Sequence, residues 1–167
     1  MAMKPVRRVV TGLSASGQST ILLDSAIGNV IDDSDGAEGT LALAELWSTA
    51  ESPIDNRGSQ DQARPHFELL PDKQGSLLRF FEIAPEPPGT AQSGGGAESH
   101  PGFHTTDTLD YIIVLEGEVV AMLEAGETVL RPGDVLIQRG TNHAWSNRST
   151  KPCRMAAVML DANPVSR

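Results

Sequence analysis

From His100 to Asn147 the chain alternates short β-prone runs with turn signals, at a spacing that suits an antiparallel sandwich or barrel. Tyr111–Leu115 is apolar and β-branched, and Glu116-Gly117 turns it into a second run, Glu118–Leu123. Glu124–Glu127 turns again before Thr128–Arg131. Pro132-Gly133-Asp134 then leads into Asp134–Arg139. Two polar clusters flank these strands, one from His104 to Asp110 and one from Gly140 to Asn147. The spacing therefore predicts an all-β fold whose strands carry the clusters toward one interior.

The clusters are spaced as a pair of motifs. Asp110 and Gly117 stand at the interval of the carboxylate and glycine in G-x5-H-x-H-x3–4-E-x6-G, with His104 at the first His and Thr106 where the second belongs. Gly140, His143 and Asn147 keep the intervals of G-x5-P-x-G-x2-H-x3-N; Gln138 replaces the Pro, and Gly133 lies one residue too close to it. On these residues the chain resembles the small stand-alone bacterial cupins. The resemblance implies a cupin double-stranded β-helix, a jelly-roll barrel, with extra N-terminal strands. Residues 91–167 would form the barrel core. Residues 1–90 would be an N-terminal β extension packed on the barrel or on a partner subunit, one structural domain overall. Cupins commonly dimerise, so a homodimer is implied.

The resemblance also implies a divalent metal, Fe, Zn, Mn or Ni, held by His104, Asp110 and His143, the same residues that would be catalytic. Two His and one carboxylate suit non-haem iron, and zinc accepts the same donors. Two departures bear on this. Thr106 offers a neutral hydroxyl, and Asp in place of Glu shortens the reach by about 1.5 Å, one carbon–carbon bond. Asp110 is then either a ligand or the group that orients a ligating histidine. His100, Thr106, Asp107 and Trp145 are the further pocket candidates. The plainer readings make His100 a loop residue, Asp107 solvent-facing, Trp145 a core residue, and His66 structural or exposed. Asn142 and Asn147 read as hydrogen-bonding residues, and Cys153 as a small buried hydrophobe.

Upstream, Arg7–Leu13 and Thr20–Asp24 read as a hairpin with its tip at Ser14–Gly17. Asn29–Gly39 is acidic and Gly-rich, and reads as a loop. Thr40–Thr49 suits both helix and strand; its alternation of Leu41, Leu43, Glu45 and Trp47 favours a strand. Glu51–Pro65 is a long loop, Gly75–Ala84 a strand, and Pro85–Ala97 either a lid or a plain connector. Cys153–Leu160 closes the barrel, and Asp161–Arg167 is expected to fray.

Composition narrows the partners. The net charge of −9, with no basic stripe to offset it, argues against nucleic acid and anionic membranes. No apolar run reaches the roughly 20 residues of a spanning helix, and the N-terminus lacks the apolar core of a signal peptide. A single cysteine permits no intrachain disulfide. These features point to a cytoplasmic protein whose partner is a small molecule. Three functions are open at this point. The first is a metal-dependent dioxygenase, decarboxylase or isomerase acting on a small organic acid or phenolic compound. The second is a metal-free His/carboxylate acid–base isomerase, for which Arg79, Arg131 and Arg139 would matter only if they face inward. The third is a binding protein without chemistry.

Overall fold

The structure, a computed structural model, describes residues 3–27, 30–32, 41–87 and 100–166. Every regular element among them is a β-strand. In chain order these are β1 (Arg7–Leu13), β2 (Ser19–Ala26), β3 (Val30–Asp32), β4 (Leu41–Thr49), β5 (Ser76–Ile83), β6 (Thr108–Glu116), β7 (Val119–Leu123), β8 (Gly126–Leu130), β9 (Val135–Gln138), β10 (His143–Ser146) and β11 (Cys153–Asp161). All pairings are antiparallel. The sheets run β1-β2, β10-β7-β8 and β3-β4-β5-β11-β6-β9.

Alternation along the strands builds the core between the larger two sheets. Leu77, Phe81 and Ile83 of β5, Ile112 and Val114 of β6, and Met155, Ala157 and Met159 of β11 pack against Val119 and Ala121 of β7 and Leu130 of β8. Period-two patterning puts such residues on one face of each strand. On the opposite face of β4, Ala42, Ala44 and Leu46 bury against Met3, Val6 and Ile27. The N-terminal segment thus covers the outside of the six-stranded sheet. Phe103 plays the same part on the outer face of the small sheet, over Val120, Met122 and Ala144.

Two of the motif glycines have steric causes. Gly117 turns β6 into β7 at φ +75°, and a Cβ there would lie 2.3 Å from the Pro152 carbonyl oxygen. Gly140, at φ +67°, joins β9 to β10, and a Cβ there would lie 2.9 Å from the Thr106 carbonyl oxygen. Both positions combine left-handed backbone with close packing, which only glycine tolerates.

Thr40–Thr49 is a strand, from Leu41 onward, and the first hairpin forms as expected. Two expectations need correction. Val30–Asp32, placed in a loop, pairs with Ala44–Ala42 as a short edge strand; the rest of that acidic stretch lies outside the described residues. Asp161, expected to fray, ends β11 and accepts the Gln74 amide at 2.8 Å, while its own amide donates to Gly75 at 3.0 Å. Most of Pro85–Ala97, from residue 88 on, also lies outside the described residues.

Candidate functional site

The two polar clusters meet at one point. His104 and His143 form an isolated antiparallel bridge, with His104 N donating to His143 O at 2.9 Å and His143 N to His104 O at 3.0 Å. Their rings consequently lie side by side, 4.4 Å apart and tilted by 49°. Trp145, two residues along β10, puts its ring edge-on to His143 at 5.7 Å. That spacing keeps both on one strand face.

Both imidazoles are tied through Nδ1. His104 Nδ1 lies 2.8 Å from the Gly102 carbonyl, which only accepts, so Nδ1 carries a proton, and in the neutral ring Nε2 is the acceptor. His143 Nδ1 lies 2.9 Å from the Thr141 carbonyl and 2.8 Å from Gln138 Nε2. Gln138 directs its amide at Thr141 O and Oγ1, at 2.7 and 2.9 Å. Its two N–H groups are thereby occupied, and His143 donates to Thr141. Burial pushes His143 down to about 4, with the neighbouring His104 adding to the effect, so its ring is neutral at neutral pH.

Asp110 sits near the start of β6, opposite Met159 on one side and Gln138 on the other. It is buried, and its Oδ1 has no hydrogen-bond partner. Burial holds this carboxyl above the usual carboxylate range, against the opposing pull of the Thr108 hydroxyl, Arg79 and His104. A buried polar atom without a partner costs about 1–3 kcal/mol. Here it borders a cavity of about 170 Å³.

That cavity is the barrel interior. Leu41, Leu43, Phe81, Ile83, Ile112 and Met159 give it apolar walls, and Arg79, His104, Thr106, Asp110 and His143 supply its polar groups. Phe67 and Leu69 reach over it from the loop between β4 and β5. Arg64 anchors this loop through Glu68 and Asp72, and Arg79 Nη2 donates to the Glu68 carbonyl at 2.7 Å. Arg79 also lies 5.3 Å from the centre of the Phe67 ring.

Of the residues singled out from sequence, His104, Thr106, Asp110, His143 and Trp145 line this cavity. Asp107 is exposed. His100 stands apart, its Nε2 3.3 Å from Glu86 Oε1. His66 is exposed and pairs with Glu68 at 3.0 Å. Asn147 is structural: it donates to Ile83 O at 2.8 Å and Lys151 O at 2.9 Å, and accepts from Ser149. Cys153 is buried, its thiol pushed up to about 11 by burial. Arg79 points inward, whereas Arg131 and Arg139 are exposed. The Leu77-Arg79-Phe81-Ile83 alternation held the signal for Arg79. Phe67 and Leu69 come from an irregular loop, which has no period to read.

Comparison with known proteins places this geometry in a family. Over 98% of its length the chain is 35% identical to phomopsin biosynthesis cluster protein D of Diaporthe leptostromiformis, covering 82% of that protein. It is 34% identical to the cupin-domain-containing oxidoreductase fogC of Aspergillus ruber, over 96% of this chain and 74% of that one. Residues 89–159 match the Cupin domain family. The chain belongs to the cupins. These relatives are fungal, which corrects the bacterial affinity that the motifs implied. A solved cupin superfamily protein from Desulfitobacterium hafniense is 19% identical, with a TM-score of 0.38, over 51% of this cupin and 66% of that chain.

The metal that cupins commonly carry can be tested against these side chains. His104 and His143 present two imidazoles of the right kind, each with Nδ1 tied. A third donor is not in place: among the described residues, no three His, Cys, Asp or Glu side chains converge closely enough to hold one ion. Asp110 shares the cavity without closing the set. Thr106, at the position of the family's second His, accepts the Thr108 hydroxyl at 2.8 Å. The donor set does not fit a resident metal.

Proposed function

We propose that this cupin is a proton-transfer enzyme acting on a small, largely apolar molecule held in the barrel cavity. The observation that carries this reading is the unpartnered, buried Oδ1 of Asp110, facing the same cavity as a histidine whose Nε2 is free to accept. Burial raises this carboxyl above the usual carboxylate range, which favours the protonated form that can give a proton to a substrate oxygen. An imidazole with a fixed tautomer can take a proton from carbon.

The step is an enolisation. His104 Nε2 takes the proton from the carbon beside a carbonyl, while Asp110 gives its proton to the carbonyl oxygen as the enol forms. Return of a proton from His104 to another carbon of the enol system, with Asp110 recovering its own, yields the isomer and regenerates the enzyme. His143, neutral and edge-on to Trp145, positions the His104 ring and keeps a second positive charge out of the cavity. The apolar walls put both polar groups in surroundings less polar than water, which strengthens their interactions.

The test is deuterium wash-in from D2O into a panel of small cyclic ketones, followed by proton NMR. Exchange should exceed the buffer rate and fall at least a hundredfold in His104→Ala and in Asp110→Asn, while His66→Ala stays at the wild-type rate. Chelator should leave it unchanged. Exchange no faster than buffer, or exchange abolished by chelator, would defeat the reading. The oxidoreductase name of the Aspergillus ruber relative favours a second reading, redox chemistry in the same cavity with an electron acceptor from outside the chain. Repeating the assay without oxygen separates the two, because proton exchange needs no acceptor.

A further inference from the structure

Behind the cavity wall lies a charged pair that enolisation does not use. Arg79 Nη2 stands 2.8 Å from Glu45 Oε1, and the two side chains are 7% and 1% exposed. The contact is ionic by distance, but its geometry is not that of a hydrogen bond: both Glu45 oxygens and Arg79 Nε lack hydrogen-bond partners. The register explains the meeting. Glu45 of β4 lies directly opposite Arg79 of β5, and Arg79 in turn lies opposite Ala157 of β11, whose small side chain leaves the guanidinium room to face the cavity.

We infer that the Glu45–Arg79 pair makes the cavity selective for electroneutral molecules of about one ring, and excludes carboxylates of the same shape. The inference rests on the reading above only in taking the same cavity as the site. Its first support is a charge count. Arg79 is the one arginine or lysine among the residues lining the cavity, and burial holds His143 neutral. Glu45 already balances Arg79, and Asp110 faces the same space. An entering carboxylate would bring a second negative charge to a single guanidinium. It would also lose its hydration with no unbalanced charge to compensate it.

Size is the second support. An apolar cavity of about 150 Å³ is known to hold benzene, so about 170 Å³ accommodates a single ring with a small substituent. The polar atoms available to that substituent, Asp110 Oδ1 and the free nitrogens of the two histidines, suit a carbonyl or hydroxyl group. Arg79 still serves as a fixed dipole. Its Nη2 contact to Glu68 O and its position against Phe67 hold the loop that covers the cavity.

Benzamide and benzoate, which match in shape and differ in charge, are the probes. Binding to the wild-type protein is measured by ligand-observed NMR and calorimetry at pH 7, without any turnover. Benzamide should bind at least tenfold more tightly than benzoate. In Glu45→Gln, where Arg79 loses its counterion, the order should reverse. The double variant Glu45→Leu/Arg79→Met removes both charges, guards against a failure of the single variant to fold, and should keep the benzamide preference. Equal or tighter binding of benzoate by the wild type overturns the inference. So does failure of a folded wild-type protein to bind either probe, which would show that the cavity does not take a ring. A wild-type protein that prefers benzamide tenfold but exchanges no faster than buffer would sink the proton-transfer reading alone, and one that exchanges but binds benzoate as tightly as benzamide would sink this one alone.

Discussion

His143 carries a pH signature that belongs to it alone. Its ring falls from an ordinary value of 6.5 to about 4 in the fold, because burial disfavours the imidazolium. The unfolded chain therefore binds more protons than the folded one between these values, and stability rises with pH across that window. The contribution is complete above about pH 6.5 and is lost progressively as pH falls toward 4. At 1.36 kcal/mol per pH unit it is on the order of 3 kcal/mol. Asp110, raised by burial, works in the opposite sense at the acid end, since protonation relieves its desolvation. Urea melts from pH 7 to 4.5 should show the loss in the wild type, and His143→Gln should flatten the slope over pH 6.5–4.5. An unchanged slope in the variant would mean that His143 is not the buried neutral group. The motif spacing made His104 and His143 legible, because both belong to a pattern with fixed intervals. Glu45 and Arg79 were legible only as alternating positions within apolar strands. Their pairing depends on the β4–β5 register, which the sequence does not state.

At the scale of elements, the turns do more to place the site than the strands they join. Gly140 links β9, which holds Gln138, to β10, which holds His143, and its positive φ lets the chain pass close to Thr106. Gly140→Ala should cost about 2–3 kcal/mol: roughly 1–2 for a side chain in the left-handed region, and the rest for moving the Thr106 carbonyl away from the new Cβ. Because Thr106 lines the cavity, the variant should also weaken benzamide binding. Gly126→Ala is the matched control. It stands at the exposed start of β8, where an added methyl group would meet nothing within 4 Å, and should change stability by no more than about 0.5 kcal/mol. Equal costs at the two positions, read from chemical denaturation, would mean that the Gly140 turn is not under strain. Strand existence was legible from alternation between turn signals, and most boundaries moved by only a residue or two. Val30–Asp32 was not, because three residues in an acidic stretch show no period, and they are ordered by pairing with β4.

Across the whole molecule, the question is whether the N-terminal strands are an appendage or part of the barrel. The six-stranded sheet crosses the expected boundary at residue 90: β4 pairs with β5, β5 with β11, and β11 with β6. The motifs could not reveal this, because they report only on the chain after His100. Leu43, Leu77, Phe81 and Ile83 from the N-terminal half share one core with Val119, Ala121 and Leu130 from the barrel's small sheet. Removing either half would leave the other with an exposed apolar face and an unpaired edge. Such a structure should unfold as one cooperative unit. The two tryptophans of the chain are placed to report on it, Trp47 on β4 and Trp145 on β10. In Trp145→Phe the fluorescence of Trp47 follows the N-terminal strands, and in Trp47→Phe the fluorescence of Trp145 follows the cavity. Within each variant, the fluorescence midpoint in urea should coincide with the midpoint by far-ultraviolet circular dichroism. If Trp47 responded at a lower urea concentration than the circular dichroism of its own variant, β3–β5 would be a separately melting layer, and the cavity would have to hold without Arg79 and Glu45.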